Sequence, residues 1–353
     1  MGIRNLATLV VAVLILSGCA NPSGNPDQNS EADDSSPAPT TVEVSPYSPE
    51  LSAKFSTPWP ADVTRQELVN SALFNSFEFL NSLEASDCEV KANIYSGEPL
   101  LEEHKPVLEN LTNRLVLTFC DYLVEDFYVI GGSYDFVEET ISEEGIPGNF
   151  YKGCRRPENE TASACVHDLV AWIGIGLGSQ RRGEVVIEER RLTIAAHEIF
   201  HVIHDQIDPD PGGQSPPRGN EFFRPVWLIE GAGEFFGRLM PYYFDMIGSY
   251  GTFVPTDRGG MFLSKEYLGD LELMEVRQNN AFGTENYYSG QIAMEYIIAS
   301  IGMESLLDIW VQMGNGRKFD DAFSASTGLS TQEFYNKFNV MHGNLYDGEL
   351  ATN

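Results

Sequence analysis

The spacing of apolar and polar positions predicts a chain that is mostly helical and contains a few short strands. Residues 62–85 and 99–123 are predicted helices, and in the second the apolar residues recur at mostly helical spacing. Short apolar runs at 127–130, near 165–177 and near 184–188 predict strands. Further helices are predicted at 133–143, 192–206, 226–239, 287–300, 303–313, 318–325 and 331–341. This mixture predicts an α+β fold, with a mixed sheet in its N-terminal part and helices in its C-terminal part.

One predicted helix contains the H-E-x-x-H pattern His197-Glu198-Ile199-Phe200-His201. Residues four apart lie on the same face of a helix, so His197 and His201 can hold one metal ion between them. Glu198 can then act on a water molecule at that ion. No proline or glycine interrupts residues 192–207, and Asp208-Pro209 ends the helix. The alternative is a pair of surface histidines, because the pattern occurs by chance in roughly one chain in a hundred of this length.

Glu230 is the candidate for the third protein ligand that a catalytic zinc site needs. It follows His201 by 29 residues, in the apolar predicted helix 226–239. A carboxylate in such a helix is costly to bury unless something pairs with it. The small residues 231–233 would allow this helix to approach the first one closely. Glu234, one turn further along, is either a hydrogen-bond acceptor for a metal-bound histidine or a solvated charge.

A third segment, Asn286-Tyr287-Tyr288-Ser289-Gly290-Gln291, opens the helix predicted at 287–300. A tyrosine hydroxyl that faces the metal would stabilise the oxyanion formed when water attacks a carbonyl. Tyr287 and Tyr288 are both candidates. His204 lies three residues after His201 on a neighbouring helix face, so we predict a structural role for it.

These three patterns together resemble the gluzincin metallopeptidases, which include thermolysin-type and aminopeptidase-N-type enzymes. The second pattern is Trp227-Leu228-Ile229-Glu230-Gly231, and the third is a Y-x-x-G segment that precedes a helix. The chain is most similar to the peptidase MA-like domain of bacterial envelope proteins, over residues 100–345. The resemblance implies a zincin-like fold of two lobes with the cleft between them. The N-terminal lobe would contain the mixed β-sheet and the active-site helix, and the C-terminal lobe would be helical.

The resemblance also implies a ligand set and an activity. His197, His201 and Glu230 would bind one Zn²⁺ per chain. Glu198 would be the general base, and Tyr287 would match the transition-state tyrosine, with Tyr288 as the alternative. The implied activity is hydrolysis of a peptide or protein substrate. The alternatives are a non-catalytic binding lipoprotein that keeps the fold and a zinc hydrolase of another amide.

The gap between the second histidine and Glu230 is longer than in thermolysin-type and aminopeptidase-N-type enzymes. The G-x-M-E-N segment of aminopeptidase-N relatives is absent upstream of the H-E-x-x-H pattern. These departures weaken a link to those two families while leaving the wider group open.

The N-terminus has the pattern of a bacterial lipoprotein signal. Arg4 precedes the apolar run from Leu6 to Leu16, and Leu16-Ser17-Gly18-Cys19 resembles a lipobox. Cleavage would remove residues 1–18 and leave a lipid on Cys19. The apolar run is shorter than the roughly 20 residues of a membrane-spanning helix, which disfavours that alternative. No aspartate directly follows Cys19, which favours sorting to the outer membrane if the host has one.

Residues 19–50 are predicted to be a flexible linker after the lipidated cysteine. From residue 20 on they are rich in Ser, Pro, Asn, Asp and Thr, with six acidic residues and no Lys or Arg. Residues 51–99 would be an N-terminal extension packed on the catalytic domain. We therefore expect a lipid-anchored protein of the cell envelope whose domain is held away from the bilayer.

Four further cysteines, Cys88, Cys120, Cys154 and Cys165, fit an oxidising envelope. Four cysteines allow three pairings. Cys154 with Cys165 would close a short polar loop, so this pair is favoured, together with Cys88 and Cys120. Free buried thiols are the alternative. The net charge of −30 argues against nucleic-acid binding and against adsorption to anionic lipid, and it favours solubility.

Overall fold

The computed structural model describes residues 53–83, 88–147, 154, 164–174, 178–181, 184–187, 189–209, 223–250, 271–275 and 285–350. All of these lie in one compact unit, Ser45–Asn353. The predicted signal segment, Cys19 and the linker 19–50 lie outside the described residues. Among the described helices, none combines the length and the apolar character needed to cross a membrane.

The described residues are mainly helical, and each predicted helix has a counterpart among them. Short 3-10 turns occur at Lys54–Ser56, Glu102–His104, Cys120–Tyr122 and Leu271–Met274. The α-helices, in chain order, are α1 Arg65–Ser82, α2 Lys105–Thr118, α3 Tyr134–Glu144, α4 Glu189–Ile207, α5 Val226–Tyr243, α6 Glu285–Ile301, α7 Met303–Gly314, α8 Phe319–Thr327 and α9 Thr331–Leu350.

The strands form one small mixed sheet and a separate hairpin. They are β1 Ala92–Ser96, β2 Phe127–Gly131, β3 Ala164–His167, β4 Val170–Ile173, β5 Gly178–Arg181 and β6 Glu184–Ile187. The sheet has the order β1-β2-β4-β3, with β1 parallel to β2, β2 parallel to β4, and β3 antiparallel to β4. The hairpin pairs β5 with β6. The predicted α+β class with a mixed sheet is thus confirmed.

Capping residues set the ends of two helices. At the start of α1, the Thr64 side chain accepts a hydrogen bond from the Glu67 backbone N–H, and the Glu67 carboxylate accepts one from the Thr64 N–H. This capping box satisfies two N–H groups that the helix leaves unpaired. Helix α3 is preceded by Ser133, whose side chain accepts a hydrogen bond from the Phe136 N–H, and is followed by Gly145, which has a φ of +62°.

Helix α4 is central, because it packs against β3 and β4 on one side and against α5 on another. Aromatic rings fix the crossing of α4 and α5. Phe200 on α4 stacks on Phe236 on α5, with ring centroids 3.9 Å apart, and Phe119 meets both rings edge-on. All three rings are fully buried. The two helices that hold the candidate metal ligands therefore share one rigid aromatic core.

The segment before α1 packs on the C-terminal helices. Trp59 meets Tyr296 of α6 and Phe334 of α9 edge-on, at centroid distances of 5.4 and 5.6 Å. Its backbone N–H donates to the Ser300 hydroxyl at 3.2 Å. Helix α1 itself packs along α6. The N-terminal extension is thus built into the helical part of the compact unit.

The structure contains the favoured disulfide pairing. Cys88 is joined to Cys120 and Cys154 to Cys165, with Cα atoms 5.6 and 5.7 Å apart. The first bond joins the segment before β1 to the turn after α2. The second joins Cys154 to the edge strand β3. Both disulfides therefore hold the edges of the sheet region.

Candidate metal centre

Three side chains, the buried His197 and Glu230 and the partly buried His201, converge between α4 and α5 as the sequence spacing predicts. His197 Nε2 and His201 Nε2 lie 2.9 Å apart. Glu230 Oε2 lies 3.8 Å from the first and 3.7 Å from the second. A zinc ion with bonds of about 2.0–2.1 Å at tetrahedral angles needs ligand atoms roughly 3.3 Å apart, and the observed distances bracket that value. This group could therefore hold one metal ion.

The electrostatics of the three side chains favour a cation between them. Burial would raise the pKa of Glu230, but hydrogen bonding and charge from His197 and His201 outweigh it and hold that pKa well below its usual range. Burial would lower the pKa of His197, yet Glu230, Glu198 and Glu234 raise it to about 9. Two imidazoles and a buried ionised carboxylate are a donor set that divalent transition metals prefer. The residues thus fit a metal ion.

Two glycines of α5 make room for the histidines. A Cβ atom at Gly233 would lie 2.7 Å from His197 Nε2 and 2.8 Å from His201 Nε2. At Gly237, one turn further, a Cβ would lie 2.8 Å from the Thr193 carbonyl oxygen. Gly233 has the packing role that the sequence predicts. Gly237 was not predicted, although its spacing of four from Gly233 is the usual signature of closely packed helices.

Gly231 was expected to face α4 but contacts α6 instead. A Cβ at Gly231 would lie 2.3 Å from the backbone carbon of Gly290, and one at Gly290 would lie 2.5 Å from the Trp227 carbonyl oxygen. Since successive residues of a helix point in different directions, one α5 surface meets α4 and another meets α6. Gly290 of the Y-x-x-G segment therefore has a packing function that sequence reasoning missed.

Glu198 and Tyr287 lie beside the candidate ligands. Glu198 follows His197 on α4 and is partly exposed. Burial is the main cause that raises the pKa of its carboxyl; the nearby carboxylates act in the same direction, and the two histidines oppose them. The ring of Tyr287, the first residue of α6 whose side chain is described, lies 5.8 Å from the His197 ring, centroid to centroid. The first turn of α6 thus meets α4 at the candidate centre.

Glu234 and Arg238 extend the site away from the metal position. Glu234 Oε1 lies 3.9 Å from His197 Nδ1, the nitrogen opposite the one that faces Glu230. The other carboxylate oxygen of Glu234 lies 3.4 Å from Arg238 Nη2. At 3.9 Å the contact with His197 is longer than a hydrogen bond, so Glu234 stays a candidate for orienting the imidazole and is not a solvated charge alone, because it also pairs with Arg238. Sequence reasoning missed Arg238, although its spacing of four from Glu234 is the signal of a helical ion pair.

His204 lies outside the ligand group. It is buried against Trp310, with ring centroids 4.9 Å apart. Burial, with the positive charges of His201 and Arg224, lowers its pKa to about 3. The Arg224 guanidinium forms a buried bidentate pair with Asp208 at the end of α4. These contacts agree with the predicted structural role of His204.

Comparisons of the chain with protein-family models, with curated proteins and with solved structures found no match.

Proposed function

We propose that this chain is a zinc-dependent metallopeptidase of the gluzincin type. The observation that carries the proposal is the convergence of His197 Nε2, His201 Nε2 and Glu230 Oε2 within 3.8 Å of one another. Two histidines and one glutamate, with a position left for water, form a ligand set of catalytic zinc. Glu198 on the same helix and Tyr287 beside His197 add the two further groups that peptide hydrolysis needs.

In this proposal the described elements form the two lobes of a zincin-like fold. The mixed sheet and α4 would belong to the N-terminal lobe. Helices α5 to α9 would form the C-terminal lobe, with the substrate cleft between the lobes. The packing of α4 on both the sheet and α5 supports this arrangement, because the H-E-x-x-H helix would then lie where the two lobes meet.

Each side chain then has a defined task. When bound, Zn²⁺ supplies Lewis-acid activation of a water molecule and of the substrate carbonyl. Glu198 accepts a proton from the attacking water and donates it to the leaving amine, and the pKa of its carboxyl is raised, chiefly by burial, in the direction that suits a general base. The Tyr287 hydroxyl donates a hydrogen bond to the oxyanion that develops. Glu234 orients His197 through Nδ1.

We also propose that the enzyme acts in the bacterial cell envelope as a lipoprotein anchored through Cys19. The lipobox-like sequence Leu16-Ser17-Gly18-Cys19 supports this location. The two disulfides support an oxidising compartment, because such bonds persist there and are rare in the cytosol. The substrate would then be a peptide or protein of the envelope or its surroundings.

The test compares residues 20–353 of the chain with the variants Glu198→Gln and Glu109→Gln. Zinc content is measured by mass spectrometry of the metal, and cleavage by sequencing the products of a mixed peptide library. We expect one zinc in all three proteins and a loss of about 10²–10⁴-fold in cleavage for Glu198→Gln only. Glu109 is exposed on α2 and serves as the matched control.

Two outcomes would contradict the proposal. Absence of zinc from all three proteins would remove the metal-site assignment itself. Zinc in every protein without cleavage by the unmodified one would exclude a general peptidase and favour a non-catalytic binding lipoprotein.

A further inference from the structure

A polar stripe runs along the buried face of α6. Tyr287, Gln291 and Glu295 are spaced four residues apart, so their side chains follow one face of the helix. Gln291 is 1% exposed and Glu295 is fully buried. Burying an amide and a carboxylate in a helix core is costly unless both are hydrogen-bonded. These buried polar residues are therefore expected to have a role other than packing.

Glu295 is the centre of a hydrogen-bond network. The Tyr250 hydroxyl donates to Glu295 Oε1 at 2.8 Å, and Gln291 Nε2 donates to the same oxygen at 3.0 Å and to the Tyr250 hydroxyl at 3.2 Å. The Arg65 guanidinium binds both carboxylate oxygens, with Nη2 2.9 Å from Oε1. We call Arg65, Tyr250, Gln291 and Glu295 the α6 network.

The α6 network joins three parts of the chain that are far apart in sequence. Arg65 is the first residue of α1, Tyr250 follows α5, and the other two residues lie on α6. At a rise of 1.5 Å per residue, Glu295 lies about 12 Å along the helix from Tyr287. A helix is rigid over two turns, so bonds that fix Gln291 and Glu295 also fix the direction of Tyr287.

Two kinds of contact set how α6 lies against α5. At Gly231 and Gly290 the two backbones touch without side chains between them, which sets how closely the helices approach. Fully buried apolar side chains of α6, such as Ile297, also hold its orientation. The α6 network adds directional hydrogen bonds within two turns of Tyr287, whose ring lies 5.8 Å from the His197 ring.

We propose that the α6 network positions Tyr287 against the metal centre. Arg65, at the start of α1, then contributes to the geometry of the site through α6. A buried ion pair is weak evidence that a protein is more stable. Its best-supported role is to hold the elements that it joins in one arrangement. The inference rests on the proposed function, because it is that function which gives the Tyr287 hydroxyl a task. Arg65, Tyr250, Gln291 and Glu295 are positioning residues, since they act through the α6 helix.

The test uses Tyr250→Phe, which removes one hydroxyl and keeps a ring that packs between Phe235 and Tyr242. The matched control is Tyr243→Phe. It removes an exposed hydrogen bond of 2.9 Å from Tyr243 to Asn81, which also links the end of α5 to α1. Gln291→Met is a second variant that removes the amide donor and keeps a good helix former.

Two quantities are measured on residues 20–353. Steady-state kinetics on a peptide from the library gives kcat and KM. Hydrogen–deuterium exchange of the metal-free protein gives the protection of the first turns of α6. We expect Tyr250→Phe to lower kcat about tenfold with KM within about twofold, because small misplacements of a reacting group have large effects. Zinc content should be unchanged, and amides of residues 287–291 should exchange about tenfold faster.

A double-mutant comparison separates positioning from general destabilisation. In a Tyr287→Phe background, Tyr250→Phe should cause no further loss of kcat, and Tyr243→Phe should change neither quantity in either background. An equal loss of kcat in both backgrounds would overturn the proposal. Unchanged kcat and unchanged exchange in Tyr250→Phe and Gln291→Met would overturn it too. If the unmodified protein cleaves nothing, the peptidase proposal fails, and the exchange result alone decides the positioning role.

Discussion

At the scale of single residues, the surroundings of a histidine decide its chemistry. His201 and His204 are one turn apart on α4. His201 Nε2 lies 3.7 Å from the Glu230 carboxylate, in a group that could hold a metal ion. His204 lies against the Trp310 ring, and within the described part of the chain neither of its ring nitrogens has a hydrogen-bond partner. The first environment favours a cation and the second keeps an imidazole neutral.

The environment of His204 predicts how the stability of the folded protein depends on pH. The pKa of His204 is lowered to about 3 in the folded protein, from an ordinary value near 6.5. Below pH 6.5 the unfolded chain therefore binds a proton that the folded chain does not bind. The stabilisation is complete above pH 6.5 and is lost as the pH falls towards 3.

The variant His204→Leu should consequently lose less stability in acid than the unmodified protein. We expect the difference in unfolding free energy between pH 7.5 and 4.5 to shrink by about 2–3 kcal/mol. Urea unfolding of the metal-free proteins at both pH values measures this difference. The packing cost of the substitution is the same at both pH values and therefore cancels. His342→Leu gives an independent check, since burial lowers the pKa of His342 to about 4. Equal acid losses in both variants and in the unmodified protein would contradict the assignment.

At the scale of elements, helix α5 connects the candidate site to the rest of the helical part. One of its surfaces meets α4 at Gly233 and Gly237, and another meets α6 at Gly231. Glu230 lies between these two surfaces and is buried. The short sequence Glu230-Gly231-Ala232-Gly233 thus supplies a candidate metal ligand and two close helix contacts. Substitutions of its two glycines should therefore have different consequences.

We predict that Gly233→Ala abolishes metal binding, because the new methyl group would lie 2.7 Å from His197 Nε2. Gly231→Ala should mainly lower the melting temperature, by several degrees, because its methyl group would collide with the Gly290 backbone. Gly343→Ala on α9 is the control. A Cβ there meets nothing within 4 Å, so it should stabilise by about 0.5–1 kcal/mol.

Zinc content after dialysis and thermal unfolding of the metal-free proteins measure the two effects. The assignment of the two α5 surfaces would be wrong if Gly233→Ala retained one zinc per chain. It would also be wrong if Gly231→Ala lost zinc without a change in melting temperature.

Sequence patterning predicted the long elements better than the short ones. Helix α4 was predicted at 192–206 and spans Glu189–Ile207, because its apolar spacing persists over five turns. Strand β1 was not predicted. Its five residues, Ala92–Ser96, are all only partly buried and form no apolar run, so the strand depends on parallel pairing with β2. The helix predicted at 99–123 is shorter, as α2 begins at Lys105 with Pro106 in its first turn.

The residues of the candidate site also differ in how far the sequence could predict them. His197, Glu198 and His201 were predictable because they share one helix, where spacing alone fixes the geometry. Glu230 was predictable because an isolated carboxylate in an apolar helix needs a partner. Arg65 and Tyr250 were not predictable. Their partner Glu295 lies 230 and 45 residues away, and only the tertiary fold brings them together.

At the scale of the whole molecule, excess negative charge is the main electrostatic feature. The chain has 52 Asp and Glu residues against 22 Lys and Arg, a net charge of −30. Several of the positive charges are already engaged by carboxylates, among them the buried pairs Arg65–Glu295 and Arg224–Asp208. Since 30 of the 52 acidic residues are in excess of Lys and Arg, most of them have no basic residue to match them one to one. Such self-repulsion keeps a protein soluble but destabilises the compact state.

Added salt should therefore stabilise the folded protein at neutral pH. Raising NaCl from 10 mM to 1 M shortens the screening length from about 30 Å to about 3 Å. Two like charges 10 Å apart in water repel by about 0.4 kcal/mol, so screening of many such pairs should raise the unfolding free energy by a few kcal/mol. Urea unfolding of the metal-free protein across this range of NaCl at pH 7.5 measures the effect.

The same titration near pH 4.4, the isoelectric point, is the control. Net repulsion vanishes there, so any remaining dependence on NaCl reports the general effect of the salt on apolar burial. We expect the gain at pH 7.5 to exceed the gain at pH 4.4. A loss of stability with NaCl at pH 7.5 would mean that attractive pairs such as Arg65–Glu295 outweigh the repulsion. The excess negative charge would then be too far from the folded core to affect its free energy of unfolding.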